Sequence, residues 1–120
     1  MNQTPGSQIL NQIISHMILQ PKSYGILKEF FEALDKYEIE YEVDIPMTLI
    51  KIKGHIIRSV CGSLFTIYFE QGKGKRINIS PTTDNIEITI FSRNNPVPIR
   101  VKIPKWRIEY NKPYLYIFFS

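Results

Sequence analysis

Between Ser7 and Leu19 the apolar residues Ile9, Leu10, Ile13, Ile14, Met17 and Ile18 recur at spacings of three and four, the period of a helix with one buried face. This spacing predicts a first helix over residues 7–19. Ser7 is its N-cap, and Gln20-Pro21 ends it because the residue before a proline is pushed out of the α region. A second helix is predicted over residues 23–36, with Leu27, Phe30, Phe31 and Leu34 as its buried stripe and Lys28 and Glu32 as a surface pair four apart. From Tyr37 the period falls to two: Tyr37, Ile39, Tyr41, Val43 and Ile45 alternate with Glu38, Glu40, Glu42 and Asp44, the pattern of a strand with one acidic face closed by Pro46.

The remainder reads as strands and short turns. Leu49 to Lys53 is a strand, and Gly54-His55 turns the chain into a long run from Ile56 to Glu70. The glycines of Gln71-Gly72-Lys73-Gly74-Lys75 permit positive φ and mark a hairpin loop, after which Arg76 to Ser80 pairs back. Pro81 to Asn85 is a second turn, Ile86 to Ser92 a strand, and Arg93-Asn94-Asn95-Pro96 a third turn. Val97, Ile99, Val101 and Ile103 alternate with Arg100 and Lys102 until Pro104 shifts the alternation to Trp106, Ile108 and Tyr110, the mark of a bulge or a sheet edge. Tyr114 to Phe119 is apolar on both faces and suits a central or interface strand.

Helices first and strands afterwards, joined by short connections, predict an α+β fold: two N-terminal helices packed on a curved antiparallel meander of about six to seven strands, running from about residue 38 to 119. At 120 residues the chain suffices for one domain, 1–120, and is too short for two with proper cores.

Composition adds an origin and a compartment. Ile, Lys, Asn, Tyr and Phe make up 52 of 120 residues, and their AT-rich codons point to a low-GC genome such as that of a virus, mobile element, organelle or low-GC bacterium. The uncharged start and the polar interruptions Asn11, Gln12, Ser15 and His16 fit neither a secretory signal nor a membrane span. The single cysteine, Cys61, allows no intrachain disulfide and is read as a buried, inert thiol. An intracellular protein is expected.

Charge is unevenly spread. Residues 1–45 hold three Lys and seven Asp/Glu, a balance of −4, whereas residues 46–120 hold 12 Lys/Arg and four Asp/Glu, a balance of +8. Positive charge concentrated in the strands is the electrostatic signature of a partner with phosphates or carboxylates. Lys73, Lys75 and Arg76 place three cations and two glycines at one hairpin tip, a chemistry suited to a phosphate backbone; the plainer reading is a solvated turn. Arg100 and Lys102 share a solvent face, and Lys51 and Lys53 form a second basic pair that Arg58 joins if the Gly54 turn is tight. By alternation Trp106 faces away from its basic neighbours, toward core or rim.

The acidic ridge Glu38, Glu40, Glu42 and Asp44 places carboxylates roughly 7 Å apart along one strand face. That geometry gives neither a metal cage nor an acid/base pair across a cleft; it suits pairing with Lys51 and Lys53 or with Arg100 and Lys102, or docking of a basic partner. His16 and His55 lack neighbours at metal or triad spacing, so no catalytic residue, metal or cofactor is assigned.

The leading expectation is therefore a small non-enzymatic module that binds nucleic acid or another polyanion through Lys51, Lys53, Lys73, Lys75, Arg76, Arg100 and Lys102. The alternative is a protein-interaction subunit or inhibitor, docking through the acidic ridge or forming a homodimer through the strand Tyr114 to Phe119. A carrier with an Ile- and Phe-rich pocket, or an enzyme, is a third reading.

Overall fold

In a computed structural model, residues 5–15 and 21–119 are described, with the side chains of residues 21 and 22 excepted; His16, read above as chemically idle, lies outside them. Helix α1 spans Pro5–Ser15 and helix α2 spans Pro21–Lys36, each opening on a proline, which suits a first helical position whose N–H has no partner within the helix. Because α1 starts at Pro5, Ser7 lies inside its first turn and is not the N-cap. Leu10 and Ile13 are buried, as are Leu27, Phe30, Phe31 and Leu34 of α2. Gly6 lets the helices meet closely. Its N–H donates to Asp35 Oδ2 at 3.0 Å, and a Cβ there would lie 2.6 Å from Phe31 Cβ.

Beyond α2 the alternating pattern does not become the strand expected over residues 37–45. Glu38 adopts φ 56° and closes a Schellman cap: Ile39 N–H donates to Leu34 O at 2.9 Å, Glu38 N–H donates to Asp35 O at 3.1 Å, and the Leu34 and Ile39 side chains are both buried. Only β1, Glu42–Asp44, pairs with a neighbour. The four acidic residues therefore share no continuous strand face, which overturns the ridge.

Among the described residues eight further strands follow: β2 Leu49–Lys53, β3 His55–Val60, β4 Thr66–Gly72, β5 Lys75–Pro81, β6 Ile86–Ser92, β7 Asn95–Ile103, β8 Arg107–Asn111 and β9 Tyr114–Phe118. Instead of one sheet of six to seven strands they form two antiparallel sheets, a four-stranded one in the order β1-β2-β9-β8 and a five-stranded meander β3-β4-β5-β6-β7. The chain leaves the first sheet at Gly54 and returns across Pro104 to Trp106. At Gly54 a side chain would lie 2.5 Å from the Glu70 carbonyl oxygen. The predicted long run from Ile56 to Glu70 is split by residues 61–65, which are exposed, so Cys61 is an exposed thiol and not a buried one.

The last strand, β9, is hydrogen-bonded on both sides, to β2 and to β8. It is central, and its backbone has no free edge with which to build the homodimer expected through Tyr114 to Phe119. Facing the core, Ile56, Phe69, Ile77, Ile90 and Ile99 line up as one cross-strand row of the five-stranded sheet, and Ile67, Ile79, Ile88 and Val101 as the next. These rows join Ile50, Ile52, Leu115 and Ile117 of the other sheet and the apolar stripe of α2. The Tyr37 hydroxyl donates to the Val97 carbonyl and fastens the end of α2 to β7. Among the described residues no helix is long and apolar enough to cross a membrane.

Candidate functional site

Because strand side chains alternate, the rows that turn away from the core are set by the same register. Arg58, Tyr68, Asn78, Thr89 and Arg100 follow one another across all five strands of the larger sheet. On one side of this row lie Glu70, Arg76 and Phe91; on the other lie Ser80, Glu87 and Lys102. With strands about 4.8 Å apart, the central row places Arg58 and Arg100 roughly 19 Å from each other, at opposite edges of the face. The Arg58 guanidinium lies over the Tyr68 ring, 5.5 Å from its centroid. Arg58, Arg76, Arg100 and Lys102 are exposed, and so is the Phe91 ring, at 38%. Of the two carboxylates there, Glu70 is turned to His55, 3.9 Å from its Nε2.

At the end of the face nearest the hairpin tips is a cleft of about 410 Å³, lined among others by Ile57, Tyr68, Arg76, Asn78, Phe91 and Arg93. The β4–β5 turn shapes this end. Lys73 and Gly74 take φ 56° and 76°, the two positive values of a tight hairpin turn that matches strand twist. A Cβ on Gly74 would stand 2.6 Å from Arg93 Cβ, so the glycine lets the two hairpin tips lie together. Asn78 Oδ1 is buried and takes no hydrogen bond from the described residues.

The cations predicted from sequence separate into three groups. Arg76, Arg100 and Lys102 share the outward face just described. Lys73 sits exposed at the hairpin tip, while Lys75 turns away and donates to the Glu38 carbonyl at 2.5 Å, placing a cation at the C-terminal end of α2 where the helix dipole favours it. Lys51 and Lys53 belong to the other sheet. Lys51 is 3.6 Å from Glu42 and 5.4 Å from the Tyr114 ring centroid, and Arg58 does not join this pair because the chain changes sheets at Gly54.

The acidic residues are largely engaged. Glu38 and Glu40 line a shallow depression with Asp35, Tyr41, Lys73 and Lys75. Gln71 holds this segment: its Oε1 accepts from Glu40 N–H at 2.7 Å and its Nε2 donates to the carbonyls of Glu40 and Lys53 at 2.7 and 3.0 Å. Tyr41 donates to Asp35 Oδ1 at 2.9 Å, and burial together with that carboxylate pushes its phenol above the usual tyrosine range. Asp44 Oδ1 accepts the Met47 N–H at 3.0 Å. Trp106 is half-buried, packed edge-on to Phe119 with centroids 6.3 Å apart, at the rim of the core. No group of three or more His, Cys, Asp or Glu is arranged to hold a metal among the described residues.

Sequence reasoning did not bring Tyr68, Asn78, Phe91 and Arg93 to the site. The alternation of Arg76 and Asn78 with Ile77 and Ile79 carried the signal, but only the pairing of β4, β5 and β6 places these residues beside one another. Set against protein-family models, curated proteins and solved structures, the chain finds no match in any of the three.

Proposed function

We propose that this chain is a binding module, not an enzyme, and that the outward face of its five-stranded sheet holds a nucleic acid or another polyanion. The observation that carries this is the placement of Arg58, Arg76, Arg100 and Lys102 on one face, with Arg93 at its hairpin end and two aromatic rings among them. Spread across the sheet, these cations suit a chain of charges better than a single anion. The contact set is Arg58, Arg76, Arg100 and Lys102; Lys73 and Lys75 line the depression with Glu38 and Glu40, and Lys51 and Lys53 lie on the other sheet.

Fluorescence-anisotropy titration of labelled DNA and RNA at 50 and 300 mM salt tests the proposal. Each phosphate neutralised on a single strand contributes about 0.7 to the slope of log affinity against log salt, so four contacts imply a loss of roughly 150-fold between those salts. Replacing Arg100 and Lys102 by Ala should lower that slope by about 1.4. No binding at 50 mM salt, or binding that ignores salt, overturns the proposal.

A further inference from the structure

We infer that the cleft between Tyr68 and Phe91 seats an unpaired base, so that the polyanion is a single-stranded nucleic acid. The inference rests on the reading of the outward face given above and names the ligand of that face.

Three features of the cleft converge on a base. The first is its aromatic content. Tyr68 and Phe91 stand diagonally on β4 and β6, in adjacent rows with β5 between them, roughly 12 Å apart from the sheet spacings. One face of Tyr68 is taken by Arg58, and Phe91 keeps an exposed ring on a strand face otherwise occupied by polar side chains. Rings held on a sheet surface stack on bases whose faces are open, and a duplex, with its bases stacked on one another, offers none.

The second feature is Asn78, in the Tyr68 row and one strand over. It lines the cleft, and its Oδ1 is buried without a donor from the described residues. A buried acceptor left unpaired is costly, and turning this carboxamide toward the cleft would pair it with the N–H groups at the edge of a base. The third is charge. Arg76 and Arg93 border the same cleft, where the phosphates flanking a seated base would lie. At about 410 Å³ the cleft falls in the range of small-molecule sites and is large enough for a base.

The probes are labelled 12-nucleotide homopolymers, matched as RNA and as DNA, and a 12-base-pair duplex, all titrated at 50 mM salt against the full chain. Phe91→Ala should weaken single-strand binding about 10-fold or more while leaving the salt slope and the duplex affinity unchanged. Asn78→Ala should weaken binding to some homopolymers more than to others, since a base edge is what it reads. Tyr68→Ala should lose affinity that Tyr68→Phe retains. Phe91 is 38% exposed and otherwise packed, so Phe91→Ala should lower the melting temperature modestly; Phe91→Leu keeps most of that apolar packing without the aromatic face and should lose affinity as Phe91→Ala does.

If the duplex binds as tightly as the single strands, or if Phe91→Ala and Asn78→Ala bind like the unaltered chain while Arg100→Ala with Lys102→Ala lowers the salt slope, base seating is wrong and polyanion binding stands. If none of the probes binds at 50 mM salt, both fall.

Discussion

Gly54→Ala adds one methyl group at the residue where the chain passes from one sheet to the other. Its Cβ would lie 2.5 Å from the Glu70 carbonyl oxygen and 2.6 Å from Cε1 and Cζ of Phe69, against the 3.4 Å at which ordinary contact begins. Neither obstacle can retreat easily. The carbonyl is main chain in β4, and the Phe69 ring is fully buried and packed edge-on to Tyr110. Gly54 itself is held by its N–H donating to Pro113 O at 2.9 Å. Forcing a methyl into such a site costs about 3 kcal/mol, the upper part of the range for overpacking. The alanine offsets this by about 0.4–1 kcal/mol because it narrows the unfolded ensemble. A net loss of about 2 kcal/mol is expected, which lowers the melting temperature by roughly 8 °C in a chain of this size.

Urea unfolding, followed by the fluorescence of the single Trp106 and by far-ultraviolet circular dichroism, measures this loss. Gly25→Ala is the control. Gly25 lies inside α2 with nothing among the described residues within 4 Å of its added Cβ, so the same substitution should there stabilise by about 0.5–1 kcal/mol. Combining Gly54→Ala with Phe69→Leu removes one of the two obstacles, and the pair should cost at least about 0.5 kcal/mol less than the two single losses together. A Gly54→Ala chain as stable as the unaltered one would refute the tight crossing between the sheets.

Glu38→Gly should stabilise by about 0.5–1 kcal/mol, because Glu38 holds φ 56° in the helix cap and the Lys75 contact uses only its carbonyl; denaturant midpoints check this. Tyr37→Phe removes the hydroxyl that ties the end of α2 to Val97, and a loss of about 1 kcal/mol is expected in the same assay. Tyr41 gives an alkaline signature. Its phenol is raised in the folded state, so the unfolded chain releases the proton first, at the ordinary value of 10.0, and stability falls as pH rises above that point. Tyr41→Phe should flatten that fall in melting temperature between pH 9 and pH 11, and an unchanged slope would contradict the burial of this phenol beside Asp35.

Local periodicity alone determined much of this protein. The apolar stripe of α2, the strand Ile86 to Ser92 and the Lys73-Gly74 turn are legible because each depends on side-chain spacing or on glycine's freedom at positive φ within a few residues. The outward placement of Arg100 and Lys102 follows in the same way from alternation with Val101 and Ile103.

What tertiary structure decided is what depends on partners far along the chain. Residues 37–41 carry a strand's alternation, yet the contact of Ile39 with Leu34 captures them as a helix cap and dissolves the acidic ridge. Gly54 and Pro104 read as ordinary punctuation; only the approach of Glu70 and Phe69 to Gly54 makes it a crossing between two sheets. The apolar pattern of β9 fits a central strand and an interface equally well, and pairing with both β2 and β8 selects the first. The candidate cleft is of the same kind. Tyr68, Asn78 and Phe91 lie 10 and 13 residues apart in sequence, and they meet because antiparallel register, which no single strand encodes, brings β4, β5 and β6 side by side.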